Sequence, residues 1–143
     1  MSRPPLKGRG GYRVWHEIST RWGDNDAYGH VNNTVYYSWF DTAVNGWLIR
    51  QRLLQIDQDP IGLVIETGCR YAKPLAYPEP VEVGLAVEAI GKTSVRYGLG
   101  VFPKNSPEAA AEGYFVHVYV AREGRRPVEL SLSWRTAFQS VLS

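Results

Sequence analysis

The chain has 143 residues, of which 44% are hydrophobic and 21% charged, which is typical of one globular domain and excludes a disordered or fibrous protein. The 16 basic and 14 acidic residues leave a net charge of +2, and no helix carries a Lys/Arg stripe, so we expect no nucleic-acid partner. The single cysteine, Cys69, excludes an intramolecular disulfide, and without His or Cys neighbours at ligand spacing it predicts no metal site.

The N-terminal residues show neither the pattern expected of a targeting signal nor any periodicity. No apolar stretch follows Met1 and no run of about 18 apolar residues occurs, so we expect no secretory signal and no membrane span. This predicts a soluble, cytoplasmic protein. Residues 2–11 are rich in Pro, Gly and basic residues without periodicity. We therefore predict a flexible leader over residues 1–11 and a single domain over residues 12–143.

The first half of the chain predicts a strand, a loop and a long helix. Apolar and polar residues alternate over residues 12–20, which indicates a strand. The loop that follows, residues 21–32, is dense in Gly, Asp and Asn. From Thr34 to Leu53, pairs of apolar residues recur every four positions, which predicts a helix with a broad apolar face. Asn32 or Asn33 is the expected N-cap.

The second half alternates apolar and polar residues with the two-residue period of strands. We predict five strands there, over residues 61–72, 81–89, 94–101, 114–122 and 128–134. Because short turns join most of them, they should pair antiparallel. One helix can cover one face of such a sheet, so the prediction is an α+β domain with its second face left for solvent or another subunit.

The loop before the helix concentrates the polar chemistry of the chain. Asp24, Asp26, His30, Asn32 and Asn33 fall within ten residues. A helix N-terminus offers free N–H groups and a partial positive charge, which stabilise a developing oxyanion. A nearby carboxylate then attacks an activated acyl group or orients water to do so. The alternative is structural, because Asp and Asn are common caps and His30 would then complete a turn.

The segment RWGDNDAYGHVNNTVYYSWFDTA resembles the signature of hotdog-fold thioesterases of the 4-hydroxybenzoyl-CoA thioesterase type. The resemblance rests on Asp24-x-Asp26-x-x-Gly29-His30-Val31-Asn32-Asn33, with Tyr36 or Tyr37 after it. It implies a hotdog fold, in which a curled antiparallel sheet of five to six strands wraps one long central helix. It also implies acyl-CoA hydrolysis to a carboxylic acid and free coenzyme A, with no metal and no organic cofactor.

The resemblance further assigns roles to residues. Asp26 is the expected catalytic carboxylate, either as nucleophile or as general base, and the Asn33 backbone N–H polarises the thioester carbonyl. His30 and Val31 belong to the same substrate-binding motif, while Asp24 is expected to order the loop. A partner subunit is expected to contribute Glu66, which otherwise faces solvent from its strand. For coenzyme A the candidates are Lys92, Ser94 and Lys73, each of which otherwise is an ordinary surface residue.

Other functions remain open at this point. The same hydrolysis on an acyl carrier protein, or non-catalytic binding of acyl-CoA, would use the same scaffold. No G-x-S-x-G motif anchors a serine hydrolase, and Cys69 is expected to be a small core residue. The uncovered sheet face and edges predict a homodimer or a homotetramer built from dimers.

Overall fold

One long helix follows the first strand, and four strands and a short second helix complete the chain. This computed structural model describes residues 4–143. Its elements are β1 (Val14–Ile18), α1 (Val35–Arg50), β2 (Ile61–Tyr71), β3 (Val81–Ile90), β4 (Ser94–Pro103), β5 (Ala111–Val120) and α2 (Leu132–Gln139).

The strands form one five-stranded sheet in the order β1-β3-β4-β5-β2. Every neighbouring pair is antiparallel, as the short connections between β3, β4 and β5 require. The longest strand, β2, has 11 residues and pairs with β5 along one side. Within residues 4–143, its other side has no partner strand, so an extended row of backbone groups lies at this edge.

The sheet wraps α1, and the predicted apolar face of the helix forms the core. Trp39, Phe40, Val44 and Trp47 are buried against the inward-facing residues of the sheet. Their four-residue spacing places them on one side of α1, while the strands contribute every second residue. This is the α+β arrangement expected of a hotdog fold.

The helix is shorter than predicted, running from Val35 to Arg50 instead of residues 34–53. Thr34 is the N-cap residue and makes no side-chain cap. Asn32 nevertheless accepts a free N–H, because its Oδ1 binds the Thr34 backbone N at 2.9 Å. An Asn side-chain oxygen therefore does accept a free N–H near the helix start, as predicted, but the predicted N-cap position is wrong because Thr34 occupies it.

The predicted strand over residues 128–134 is wrong in its second half. Val128 and Leu130 continue an extended segment, but Leu132 begins α2. Trp134 and Phe138 are spaced four apart and close one end of the core, whereas Leu132 is 80% exposed. Leu132 and Trp134 fit the two-residue period of a strand, whereas Trp134 and Phe138 fit the four-residue spacing of a helix. Burial of Phe138 in the core favours the helix.

Residues of the expected leader lie against the outer face of the sheet. The Lys7 backbone N donates to Glu112 at 2.8 Å, and the Arg9 guanidinium forms an ion pair with Glu82 at 2.8 Å. Directly after the leader, the Tyr12 side chain packs against the backbone of Gly84 on the outer face of the sheet. Residues 1–3 of the leader fall outside the described residues, and the division of the chain at residue 11 stays a prediction.

Candidate active site

The loop between β1 and α1 is fixed at the end of the sheet where β2 finishes. The Val31 N–H donates to the carbonyl of Leu75 at 2.7 Å, and the Tyr77 N–H donates to the side chain of Asn25 at 3.1 Å. Asn25 and Val31 also pair with each other as an isolated bridge. These contacts attach the loop to the segment that follows β2.

The Asp24 side chain stabilises the conformation of this loop. It is only 1% exposed, and its Oδ1 accepts from Arg21 Nε at 3.0 Å and Nη2 at 2.9 Å. Its Oδ2 accepts from the Arg21 backbone N at 2.7 Å, and its carbonyl accepts from Asn32 N at 2.8 Å. A buried carboxylate with three of its roughly four lone-pair sites already engaged is poorly placed to bind substrate.

Asp26 has a freer carboxylate in the same loop. Its Oδ1 accepts the Tyr28 N–H at 2.9 Å, whereas the contact of Oδ2 with Asn32 Nδ2 is longer, at 3.4 Å. The backbone closes a tight turn, because Asp26 N donates to His30 O at 2.9 Å and Gly29 N donates to Asp26 O at 3.0 Å. Gly29 has a φ of +83°, which favours glycine. The turn leaves Oδ2 with accepting capacity.

The start of α1 contributes an unpaired backbone donor. The Asn32 carbonyl accepts from Val35 N at 3.0 Å, and the Asn33 carbonyl accepts from the Tyr71 hydroxyl at 2.8 Å. Within residues 4–143, the Asn33 N–H donates to no other group. It lies where the helix dipole is positive, so it is suited to bind a polarised carbonyl oxygen.

A cleft of about 320 Å³ opens beside this donor. It brings together four of the predicted residues with the end of β2 and the first turn of α1. Its lining residues are His30, Val31, Asn33, Tyr36, Tyr71, Ala72, Lys73 and Pro74. Asp26 is not a lining residue, but it is joined to the cleft by its hydrogen bond to His30. The sequence analysis did not predict Tyr71, because this residue lines the cleft only where β2 contacts α1 in the folded chain.

The other predicted residues lie apart from this cleft or are already paired. Lys73 lines the cleft and forms an ion pair with Glu108 at 3.1 Å. Glu66 is exposed in the middle of β2, 3.9 Å from Arg96. Lys92 and Ser94 lie at the turn between β3 and β4, at the opposite end of the sheet. Ser94 pairs with Val118 of β5, about 23 Å along the strand from the cleft end.

Two further groups are poor candidates for chemistry. Burial raises the pKa of the Cys69 thiol to about 11, so it remains a protonated, weak nucleophile. Burial lowers the pKa of His117 to about 4, and its ring packs against Tyr97 and Tyr119 in the core. Among residues 4–143, no three His, Cys, Asp or Glu side chains are arranged to hold a metal ion. No helix in this range has the length and apolar character needed to cross a membrane.

The chain is similar to known proteins in both sequence and fold. The sequence model of the thioesterase-like superfamily matches residues 20–138, which include both the loop and the cleft. The chain is similar to the crystal structure of the PA5185 protein from Pseudomonas aeruginosa, at 46% identity with a TM-score of 0.92. That match covers 95% of this chain and 96% of the other.

More distant structures share the fold. One is Slr0204 from Synechocystis, a 1,4-dihydroxy-2-naphthoyl-CoA thioesterase, at 18% identity and a TM-score of 0.80, covering 89% of this chain and 96% of that one. Another is BH1999, a gentisyl-coenzyme A thioesterase, at 21% identity and a TM-score of 0.79, covering 87% of this chain and 99% of that one. At these identities the likeness establishes the fold alone. The predicted hotdog fold is confirmed.

Proposed function

The chain belongs to the thioesterase-like superfamily and is a thioester hydrolase, and we propose that its substrates are acyl-CoA thioesters. The observation that carries this proposal is the Asn33 N–H, which has no partner within residues 4–143 and belongs to a residue that lines a cleft beside the loop of Asp26. The names of two structural relatives, a naphthoyl-CoA and a gentisyl-coenzyme A thioesterase, support coenzyme A as the thiol.

The reaction follows from these two groups. The thioester carbonyl oxygen accepts a hydrogen bond from the Asn33 N–H, which stabilises the negative charge that develops on it. In the general-base route, Asp26 takes a proton from water while the water oxygen bonds to the carbonyl carbon. The C–S bond then breaks, and the proton passes to the leaving thiolate. The products are a carboxylic acid and coenzyme A.

The nucleophilic route uses the same carboxylate differently. An Asp26 oxygen bonds to the carbonyl carbon, the thiolate leaves and is protonated, and water then hydrolyses the mixed anhydride. A single turnover in ¹⁸O-water tests the anhydride, because label enters the Asp26 side chain only if water attacks the Asp26 carboxyl carbon of an anhydride. Label in the product acid alone arises from the general-base route and equally from attack of water on the acyl carbon of the anhydride.

Thiol release from a panel of short-chain, long-chain and aromatic acyl-CoAs tests the function itself. We expect hydrolysis by the wild-type chain and a loss of kcat of about 100-fold or more in Asp26→Asn. Asp41→Asn is the matched control, because Asp41 is an exposed helix residue bonded to Asn45. Wild-type activity in Asp26→Asn would contradict the role of Asp26.

The two alternative functions give different results in the same assay. Calorimetric binding of acyl-CoA without thiol release would indicate a binding module. Hydrolysis of the thioester of an acylated carrier protein, without hydrolysis of acyl-CoA, would indicate a carrier-protein thioesterase. Either outcome would overturn the proposal that acyl-CoA is the substrate.

We also propose that the active form is a homodimer joined along β2, or a tetramer of such dimers. Antiparallel pairing of two β2 edges would complete the backbone hydrogen bonds of this strand. It would also bring the partner's sheet end, with its Lys92 and Ser94 equivalents, toward the cleft. Within one chain, Ser94 lies about 23 Å along the strand from the cleft end. Such pairing would give the candidate coenzyme A residues Lys92 and Ser94 access to the cleft of the other subunit, and it would place the substrate-binding candidate Glu66 at the shared edge.

A further inference from the structure

The side chain of Tyr71 joins the edge strand β2 to the start of α1. Its hydroxyl donates to the carbonyl oxygen of Asn33 at 2.8 Å. Its ring meets the ring of Tyr36 edge-on, with centroids 4.9 Å apart and planes at 90°. Both rings and Asn33 line the cleft. Tyr71 therefore joins the sheet edge to the backbone that carries the candidate oxyanion donor.

The backbone around Asn33 is held at every polar atom except one. In the peptide between Asn33 and Thr34, the carbonyl accepts from Tyr71 and the N–H donates to Asn32 Oδ1 at 2.9 Å. In the preceding peptide, the Asn32 carbonyl accepts from Val35 N at 3.0 Å. The N–H of that peptide belongs to Asn33 and has no partner within residues 4–143. Since the two peptides share the Asn33 Cα, fixing one restricts the direction of the other.

We propose that Tyr71 is a positioning residue, whose phenol holds the Asn33 carbonyl so that the Asn33 N–H stays aimed at the substrate carbonyl. The inference rests on the proposed thioesterase function. Tyr71 remains a donor at working pH, because burial, with smaller contributions from Cys69 and Tyr37, raises the pKa of its phenol. A phenylalanine here keeps the ring packing on Tyr36 and removes the hydrogen bond to the Asn33 carbonyl.

The expected effect falls on kcat. Removing an oxyanion donor outright costs about 100-fold to 1,000-fold in kcat, and a donor that has lost its support costs less. We expect Tyr71→Phe to lower kcat by about 10-fold. The hydrogen bond from the Asn33 N–H to the substrate carbonyl oxygen strengthens in the transition state. The KM of the variant should therefore stay within about twofold of wild type.

Tyr77→Phe is the matched control, because Tyr77 is 38% exposed and Tyr71 is 40% exposed. Tyr77 packs on Trp22 and does not line the cleft, so its variant should keep wild-type kcat and KM. A Tyr71→Phe enzyme with wild-type kcat would overturn the positioning role. So would an increase in KM without a decrease in kcat, since that would indicate a contact with substrate in the ground state.

A second measurement applies if Tyr71→Phe folds poorly. Replacing Tyr71 by 3,5-difluorotyrosine keeps the ring and makes the phenol much more acidic. The surroundings that raise the pKa of Tyr71 act on the fluorinated phenol as well, so phenolate absorbance is used to locate its pKa. Because a phenolate cannot donate to the Asn33 carbonyl, kcat should fall as the pH rises through that pKa, on a basic limb absent from wild type. An unchanged kcat across the appearance of the phenolate overturns the inference. Failure of wild type to hydrolyse any thioester would instead overturn the proposed function, so the two failures are distinguishable.

Discussion

The ring of Phe40 on α1 lies against the backbone of Gly113 on β5 with no room for a side chain between them. A Cβ atom at Gly113 would collide with that ring and with the carbonyl oxygen of Gly68 on the neighbouring strand. The ring could rotate away, but the backbone of β2 could not move without disturbing its pairing with β5. The glycine therefore sets how closely the sheet approaches the helix.

Replacing Gly113 by alanine should destabilise the protein. We expect Gly113→Ala to lower the free energy of unfolding by about 1–3 kcal/mol, the usual cost of overpacking a core. Chemical denaturation monitored by tryptophan fluorescence measures it. Gly10→Ala is the control and should change stability by less than about 0.5 kcal/mol, because no atom lies within 4 Å of its added Cβ. Equal stability of the two variants would contradict the close contact.

The buried His117 should make stability depend on pH. Burial lowers its pKa from 6.5 to about 4, so between these values the unfolded chain binds a proton that the folded chain excludes. Stability contributed by this group is therefore present above pH 6.5 and is lost as the pH falls toward 4. From pH 7 to pH 5 the loss should be about 2 kcal/mol.

Urea unfolding at the two pH values measures this loss. We expect His117→Gln to flatten the dependence relative to wild type, while His30→Gln, which removes an exposed imidazole, keeps the wild-type slope. The comparison between variants removes the shared contribution of the carboxylates. An unchanged slope in His117→Gln would contradict a neutral, buried imidazole.

Disrupting the edge of β2 should separate subunits and reduce activity together. Ile65 lies at the β2 bulge and is 61% exposed, so Ile65→Asp places a charge where a second strand would pair. Light scattering should change from a dimer or larger assembly to a monomer, with a parallel loss of thioesterase activity. Ile56→Asp is the control, because Ile56 is 85% exposed in a turn before β2. A wild-type chain that is monomeric at micromolar concentration would contradict the shared-site proposal.

Local sequence patterns carried much of the fold. The four-residue spacing from Tyr36 to Leu48 predicted α1, and strict alternation predicted β3 and β4, because each pattern reports one buried face. The same logic failed after Leu130. There, Leu132 and Trp134 fit strand alternation, and the core contact of Phe138 favoured a helix.

The sequence by itself determined that a turn rich in Asp, Gly and Asn precedes a long apolar helix, and the family motif singled out Asp26 and Asn33 within it. Only the tertiary structure decided which groups are free to act. Asp24 is engaged by Arg21, while the Asn33 N–H has no partner within residues 4–143 and belongs to a residue that lines a cleft. The structure also brought Tyr71 to Asn33 and separated Lys92 from the cleft. The hydrogen bond of Tyr71 to Asn33 joins residues 38 positions apart in the chain, and no local periodicity encodes it.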